Sequence, residues 1–316
     1  MAPPLNESLS KILVVGSINI DTYLDVSSLP RKGMAVSTNT STVSPGGKGL
    51  NQAVGSALLG HRVSLIGNVG YDLQSDRIYD LLHQHQIDTV AVRRCRNIDT
   101  GKAYIFVDSS GNSIISILAG ANSILSPGDV HLSGALFRDA RYCLIQSEIP
   151  IETVLETCRM AHRHGVETIV KPSACTDFPP EILPEIDILC PNEDELRILC
   201  PHEDTVEARA ACLQKVGVRT VIATLGEKGC YVKAPTWEEW VPAADFITVD
   251  TTGASDAFIS ALASYLLEGY SLRKAVYIAT VAAGFSVSRK GVVSALIDKS
   301  SLESYLRQKA PGLLNA

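Results

Sequence analysis

The chain has 316 residues, of which 46% are hydrophobic and 20% are charged, a composition typical of a folded globular protein. A formal net charge of -6 without any basic run argues against a nucleic-acid partner. No window holds about eighteen uninterrupted apolar residues, so we expect no membrane-spanning segment. The eight cysteines are scattered without a C-x-x-C pair, which predicts a reduced, cytoplasmic protein without disulfides or zinc.

The first predicted strand is the continuous apolar run Ile12–Val15, which is typical of a buried strand in a parallel sheet. Asn19 and Asp21 follow its carboxyl end and could together hold a polyol with several hydroxyls. Short polar residues after a strand are more often simple turn residues, so this segment alone favours a turn. A half-exposed strand is predicted over residues 35–43, where small, apolar and hydroxyl residues alternate.

The segment PGGKGLNQ at residues 45–52 combines close backbone approach with directional donors. Gly47 and its glycine neighbours let the backbone contact a ligand, while Lys48 and Asn51 add polar side chains. The spacing is not that of a P-loop. A glycine turn before a helix explains the segment about as well when it is considered alone.

Strands and helices alternate along most of the remaining chain. Further strands are predicted at residues 63–66, 142–145, 168–170, 187–189 and 218–224, with a hairpin at 229–233 and 238–241. Helices are predicted at residues 50–59, 73–85, 151–163, 204–216, 253–268, 271–288 and 300–308. The helix at 204–216 begins at Asp204 with Glu207 three residues on, a capping-box arrangement. This alternation implies a parallel sheet covered by helices on both faces.

Two regions depart from that alternation. Hydroxyl-rich strands occupy roughly residues 17–44, and a probable hairpin at 101–118 turns at residues 108–112. We expect them to form a small separate sheet over the strand ends, where ligands of such folds bind.

Polar segments follow several later strands. Glu148 could hold a sugar hydroxyl or cap the helix that follows it. Asn192 and Glu195 are three residues apart in an acidic turn, which suits Mg²⁺ bound through few carboxylates or plain stabilisation of a helix dipole. Thr224 and Gly226 lie in a loop that suits either nucleotide contact or a hairpin turn.

The segment DTTGASD at residues 250–256 is the most informative in the chain. A strand-like run, Phe246–Val249, precedes it, and an apolar helix follows. The first N–H groups of a helix lack intrahelical partners and carry positive partial charge, so an anion can approach them beside small residues. Those small residues are Gly253, Ala254 and Ser255. Asp256 adds a carboxylate, which suits a base that takes a proton from an attacking hydroxyl. Alone, the segment fits a capped helix equally well.

In their order along the chain, these segments closely resemble the motifs of the PfkB carbohydrate kinases, and within them the ribokinases, from about residue 11 to 308. The segments that carry the resemblance are GSINID at 16–21, GGKGLN at 46–51, AGAN at 119–122, PNEDE at 191–195, TLG at 224–226 and DTTGASD at 250–256. The resemblance implies an α/β fold over residues 11–308. This single domain is a ribokinase-like three-layer αβα sandwich with a mostly parallel central sheet and a small β-sheet lid from about 17–44 and 101–118. The lid often contributes to a dimer interface.

The resemblance also implies a reaction, the transfer of a phosphoryl group from ATP to the primary hydroxyl of ribose or a related sugar. Asp256 is implied as the base, with an anion hole formed by Gly253, Ala254 and Ser255. The sugar-binding positions are Asn19, Asp21, Gly47, Lys48, Asn51 and Glu148. Asn192 and Glu195 match the element that organises Mg²⁺ through water, and Thr224 and Gly226 match nucleotide-binding positions. A potassium site is implied at Asp250, Thr252, Gly291 and Ser294.

Some positions differ from the family pattern. Ser255 stands where a glycine is usual, Lys171 opens KPSA where many ribokinases have Asn-Pro-Ala, and Thr280 replaces an Asn found near the adenine. The loop after Gly291 is one residue shorter than usual. These differences bear on substrate identity and potassium dependence more than on the reaction type.

Alternatives to a ribose kinase are a nucleoside kinase, including one for pseudouridine, a kinase for another sugar, and a non-catalytic sugar or nucleotide sensor. A nucleoside needs apolar or aromatic wall space for its base, and no aromatic residue lies within the Asn19–Asp21 or Lys48–Asn51 segments, which favours the free sugar. We also expect a homodimer, because the edges of a lid strand such as residues 35–43 would be covered by a second subunit.

Overall fold

A computed structural model of the chain describes residues 11–108, 113–173 and 178–314. The strands in these ranges are β1 (Lys11–Val15), β2 (Asn19–Val26), β3 (Thr38–Gly46), β4 (Arg62–Gly70), β5 (Asp88–Cys95), β6 (Gly101–Val107), β7 (Ser113–Leu118), β8 (Ala140–Gln146), β9 (Glu167–Lys171), β10 (Ile188–Leu189), β11 (Thr220–Thr224), β12 (Cys230–Lys233) and β13 (Glu238–Val241). The α-helices are α1 (Lys48–Leu58), α2 (Leu73–Gln84), α3 (Pro127–Leu132), α4 (Ile151–Arg163), α5 (Glu193–Leu199), α6 (Val206–Lys215), α7 (Ala254–Leu267), α8 (Leu272–Val287) and α9 (Lys299–Lys309). Residues 109–112, where the sequence predicts the turn of a hairpin, and Ala174 and Cys175 lie outside the described residues.

The larger sheet has nine strands in the order β13-β12-β11-β10-β9-β8-β1-β4-β5. Neighbours from β11 to β5 pair in parallel, whereas β12 and β13 are added antiparallel at one edge. The α/β fold with a mostly parallel sheet is therefore confirmed.

Both faces of the larger sheet are covered, as the apolar run in β1 predicts. Ile12 and Val14 pack into the cluster that contains Phe258 of α7, while Leu13 and Val15 pack into the opposite cluster. Because successive strand side chains point to opposite faces, a strand apolar at every position requires helices on both sides. This arrangement gives three αβα layers.

The smaller sheet has four strands in the order β3-β2-β6-β7, with an antiparallel hairpin at each side and a parallel β2–β6 pair in the middle. β2 begins four residues after β1 ends, so this sheet starts at the carboxyl end of the parallel strands. The expected small separate lid sheet is confirmed, although β3 covers 38–46 rather than 35–43. Asn19 and Asp21 lie within β2 rather than in a turn.

Two local predictions were wrong. α6 begins at Val206 and is capped by Thr205, whose hydroxyl accepts from the Ala208 N–H at 3.1 Å, so Asp204 and Glu207 form no capping box. Residues 246–249 are not a strand, because no strand of the sheet pairs with them. Within this run Phe246 instead packs on two aromatic rings, 4.7 Å from that of Phe285 and 5.3 Å from that of Tyr305, measured between centroids.

Among the described helices, none combines the length and apolar character that crossing a bilayer requires.

Candidate active site

The turn before α7 requires a glycine. Gly253 is the N-cap with φ 81° and ψ -2°, a left-handed conformation that costs a residue with a Cβ. A Cβ there would also lie 2.5 Å from Cγ1 of Val292. The next two residues, Ala254 and Ser255, line a cavity of about 590 Å³. The positive end of α7 therefore faces space that a ligand can occupy.

Asp256 is buried in the first turn of α7, with 2% of its surface exposed, and two amide side chains hold it. The side-chain amide of Asn51 donates to Oδ2 at 2.9 Å, and that of Gln52 donates to Oδ1 at 2.9 Å. Donors to both oxygens suit an ionised carboxylate, which only accepts. The carboxylate thus has a fixed orientation beside the helix N-terminus.

A second layer of amides extends this network into the larger sheet. Nε2 of Gln146, the last residue of β8, donates to Oε1 of Gln52 at 2.6 Å. Both glutamines are fully buried. Sequence reasoning did not assign a role to either residue. The sequence shows only that Gln52 is a polar residue in the glycine segment and that Gln146 is a polar residue at the end of a strand.

Ser17, Lys48 and Glu148 form a linked group beside the strand ends. The Ser17 hydroxyl donates to Oε2 of Glu148 at 2.6 Å and accepts from the Lys48 N–H at 3.1 Å. Nζ of Lys48 lies 3.8 Å from Oε1 of Glu148. Burial alone would lower the pKa of Lys48, but attraction by Glu148 and by Asp256 outweighs it and raises the pKa. The site therefore keeps a cation beside the Asp256 carboxylate.

Asp21 is buried against the backbone of the glycine segment. A Cβ on Gly46 would lie 2.0 Å from Oδ2 of Asp21, so only glycine leaves room for this carboxylate. Burial, followed by repulsion from Glu148, raises the pKa of Asp21 to about 7 against the opposing effect of Lys48. Ionising this group therefore costs free energy until a donor reaches it.

Asn19 and Asn122 support the start of the lid. Nδ2 of Asn122 donates to Oδ1 of Asn19 at 2.8 Å, and Oδ1 of Asn122 accepts from the Ile18 N–H at 2.9 Å. Asn122, in the AGAN segment, therefore orients Asn19 toward the other polar side chains.

Several buried polar atoms of this group lack partners within the described part of the chain. They are Oδ1 of Asp21, the Tyr23 hydroxyl and Oδ1 of Asn51. Buried polar groups in proteins are nearly always hydrogen-bonded, so unpaired ones that lie close together indicate a polar ligand. Two acceptors and a hydroxyl suit a ligand with several hydroxyl groups.

The cavity at the α7 N-terminus is open toward a more apolar region. Asn192, Thr224 and Gly226 line one side, where β11 ends. The opposite side is lined by Phe246, Phe258, Thr280, Ala283, Gly284 and Val287. The Thr280 hydroxyl donates to the Tyr277 carbonyl at 2.7 Å, so it is committed to its own helix. Apolar walls beside a positive helix end suit a flat base joined to phosphates.

Asn192 and Glu195 form the capping box of α5. Oδ1 of Asn192 accepts from the Glu195 N–H at 2.8 Å, and Oε2 of Glu195 accepts from the Asn192 N–H at 2.7 Å. Nζ of Lys171 contacts the same Glu195 oxygen. With Oε2 engaged twice, this carboxylate fits Mg²⁺ through water better than through direct coordination. Asn192 lines the cavity, and Glu195 does not.

The four residues of the implied potassium site lie in one group. Asp250 joins the two loops, because Oδ1 accepts from the Thr252 N–H at 2.9 Å and Oδ2 accepts from the Gly291 N–H at 3.1 Å. The Ser294 hydroxyl donates to the Lys290 carbonyl at 3.2 Å. Asp250 therefore links the loop before α7 to the loop at Gly291, and the potassium site stays a prediction.

The chain is similar in sequence to known proteins. Residues 9–299 match the profile described as pfkB family carbohydrate kinase. The chain is 32% identical over 300 residues to the deoxyribokinase of Salmonella typhi, covering 93% of this chain and 98% of that protein. It is also 32% identical over 306 residues to the bifunctional ribokinase/ribose-5-phosphate isomerase A of Fructilactobacillus sanfranciscensis. That match covers 95% of this chain but only 57% of the bifunctional protein.

Among solved structures, the chain is similar to Arabidopsis thaliana ribokinase complexed with ribose and ATP. The TM-score is 0.84 at 32% sequence identity, and the match covers 97% of this chain and 99% of that chain. The fold therefore agrees over nearly the whole length of both chains.

Proposed function

Because the chain belongs to the pfkB family of carbohydrate kinases and is a phosphotransferase with an alcohol acceptor, we propose that it phosphorylates ribose. The donor is ATP, and the product is ribose 5-phosphate. The observation that carries the proposal is the buried Asp256 carboxylate, held by two amides between a polar group with unpaired atoms and the cavity at the start of α7. The solved relative with ribose and ATP supports the same pair of ligands.

In this mechanism Asp256 accepts the proton of the primary hydroxyl of the sugar. The freed oxygen forms a bond to the γ-phosphorus as the bond to the ADP oxygen breaks, so ADP carries away the displaced electron pair. The N–H groups at Gly253, Ala254 and Ser255 stabilise the charge on the transferred phosphoryl group. Closure of the lid sheet would exclude water, which otherwise competes with the sugar as acceptor.

The sugar would be held by the buried polar group. Asp21 and Asn51 have acceptor oxygens without partners among the described residues. Lys48 supplies a cation, and Asn19 and Glu148 supply further polar contacts at the strand ends. Together these positions suit the several hydroxyls of a pentose.

The proposed reaction uses two metal ions, Mg²⁺ and K⁺. Bound Mg²⁺ would supply a positive charge that offsets the phosphates of ATP, with Glu195 and Asn192 arranged to hold its water shell. A potassium ion at Asp250, Thr252, Gly291 and Ser294 would strengthen the positive field at the start of α7.

The second candidate acceptor is 2-deoxyribose, and the deoxyribokinase of Salmonella typhi at 32% identity favours it. The two sugars differ by one hydroxyl group. A site that pairs this hydroxyl with a buried acceptor discriminates strongly against the deoxy sugar, because the acceptor would be left unpaired. Other sugars, nucleosides and a non-catalytic sensor are the remaining alternatives.

The test is ADP release with a panel of acceptors: ribose, 2-deoxyribose, fructose, pseudouridine and adenosine, each with and without potassium. We expect the highest kcat/KM with ribose. A higher kcat/KM with 2-deoxyribose or a nucleoside would identify that compound, and not ribose, as the acceptor. If ADP release increased with none of the acceptors, the protein would be a sensor. Faster turnover with potassium than with sodium at equal ionic strength is expected from the cation site.

We further propose a homodimer formed through the lid sheet. β7 is one of the two edge strands of this sheet, and all six residues of β7 are exposed. Ile115 is 50% exposed, and Leu118 is 56% exposed. An exposed apolar edge strand favours pairing with another chain, and a second subunit would cover it. The cytoplasmic location stays a prediction.

A further inference from the structure

Lys171, the first residue of the KPSA segment, is a cation buried inside the protein. It is the last residue of β9 and lies beside Gln146 of β8 in the sheet. Only 2% of the residue is exposed. Its Nζ contacts Oε2 of Glu195, the oxygen that also accepts from the Asn192 N–H. The side chain therefore turns toward the proposed Mg²⁺ element and not away from it.

The pair does not lie in isolation, because a second cation is close enough to interact with both partners. Lys48 repels Lys171 and is attracted by Glu195. Lys48 is itself paired with Glu148, so Lys171 is the ammonium group that directly compensates Glu195. A buried carboxylate is costly unless a cation compensates it, so loss of the Lys171 ammonium group would leave Glu195 with an uncompensated negative charge.

This inference rests on the proposed use of ATP. We propose that Lys171 is a positioning residue that neutralises and orients Glu195, and thereby lets the chain bind the nucleotide without a divalent cation. With Lys171 present, Glu195 neither repels the phosphates strongly nor attracts Mg²⁺ strongly. Without that ammonium group, the free carboxylate would repel metal-free nucleotide and would attract Mg²⁺ more strongly.

The experiment measures binding of a non-hydrolysable ATP analogue, AMP-PNP, by calorimetry in EDTA and at saturating Mg²⁺, with no sugar present. Lys171→Met removes the charge, and Lys171→Arg keeps it. The matched control is Lys233→Met, because Lys233 pairs with Glu238 and lies at the opposite end of β12 from the site.

We expect Lys171→Met to weaken binding in EDTA by about tenfold or more, and to change it by less than about threefold with Mg²⁺. The Mg²⁺ concentration that gives half of the full increase in AMP-PNP affinity should be lower for Lys171→Met than for the wild-type protein. Lys171→Arg and Lys233→Met should match the wild-type protein under both conditions.

An equal loss of affinity with and without Mg²⁺ would show a merely structural role, and no loss in either condition would show that the charge is irrelevant. Either result overturns the proposal. If Lys171→Met does not fold, Lys171→Asn serves, since its amide lacks the charge and should give the same metal-dependent loss. The measurement contains no sugar, so a failure of the ribose assignment and a failure of this inference are separate outcomes.

Discussion

The candidate site contains two buried carboxyl groups, those of Asp256 and Asp21, and their hydrogen-bond partners differ. Among the described residues, the side-chain donors to the Asp256 carboxylate are two neutral amides, which fix its orientation. Asp21, by contrast, is buried with one oxygen unpaired and close to two other carboxylates. The first arrangement suits the base that we propose at Asp256, and in the second the buried Asp21 carboxyl has free energy to gain from a ligand that donates to it.

Replacing Asp256 by Asn should remove the proton acceptor while keeping the size of the side chain. We expect kcat to fall by about two to four orders of magnitude. The affinity for AMP-PNP should stay within about threefold, because the cavity walls are unchanged. Steady-state kinetics and calorimetry measure the two quantities. Asp298→Asn, at the N-cap of α9, is the control for a lost carboxylate away from the site. Near-normal turnover in Asp256→Asn would exclude this residue as the base.

The raised pKa of Asp21 predicts that the free energy of unfolding depends on pH. Its pKa is about 7 in the folded protein and near 3.8 when it is exposed, so the folded state binds more protons between these values. The free energy of unfolding that Asp21 contributes therefore falls as pH rises from about 4 to 7. Asp21→Asn should raise Tm relative to the wild-type protein at pH 8 and much less at pH 5, in the absence of sugar.

The same substitution should lower kcat/KM for the sugar at pH 8, because the ionised acceptor is lost. In the wild-type protein, kcat/KM should decline below about pH 7 as Asp21 is protonated. Thermal melts and initial rates across pH 5 to 8.5 test both effects. A Tm difference that is constant with pH would contradict the assignment.

At the scale of elements, the lid is tied to the larger sheet by the cap of α2. Oδ1 of Asp72 accepts from the Ser75 N–H at 3.0 Å, and Oδ2 accepts from the Thr100 N–H at 2.7 Å. Thr100 directly precedes β6, the strand that enters the lid. One carboxylate thus caps a helix and fixes the start of a lid strand.

Removing this link should affect both stability and sugar binding. We expect Asp72→Ala to lower the free energy of unfolding by about 1–3 kcal/mol. It should also raise KM for the sugar several-fold, because the lid strand loses its anchor. Asp298→Ala removes a cap of the same type, in which the carboxylate accepts from the Ser301 N–H at 3.0 Å. It should cost similar stability and leave KM unchanged. A similar KM change in both variants would show that only general destabilisation matters.

Elements with strong local patterns were predictable from the sequence, and those set by distant partners were not. The helix at 151–163 was predicted with the bounds that the structure has, because its apolar periodicity is strong. The run at 246–249 is rich in β-branched residues, yet it pairs with no strand of either sheet. Gln146 and Gln52 meet across 94 residues, and no local pattern encodes such a contact. The direction of the Lys171 side chain could not be predicted from the sequence, because it depends on where the fold places Glu195.

At the scale of the molecule, the two sheets differ in how much of their apolar surface is exposed to solvent. The larger sheet is covered on both faces, whereas the smaller sheet exposes an apolar edge strand. In β7, Ile115 lies opposite Ile105 and Ile117 opposite Ala103, so both continue the buried face of β6 outward. An apolar face that ends at an exposed edge is a surface that association can complete.

The last prediction tests this surface. The double variant Ile115→Lys and Ile117→Lys should weaken the dimer by about a hundredfold or more, because two charges would be buried at the contact. Sedimentation equilibrium should give twice the chain mass of 33.9 kDa for the wild-type protein and a mass close to a single chain for the variant. Leu132→Lys, on α3 and 87% exposed, controls for the change of an exposed apolar residue to lysine elsewhere. A wild-type protein that is monomeric at all concentrations, or a variant that dimerises normally, would place the contact elsewhere. If dimerisation also steadies the lid, the variant should show a raised KM for the sugar with unchanged AMP-PNP affinity, since β7 lies outside the nucleotide cavity.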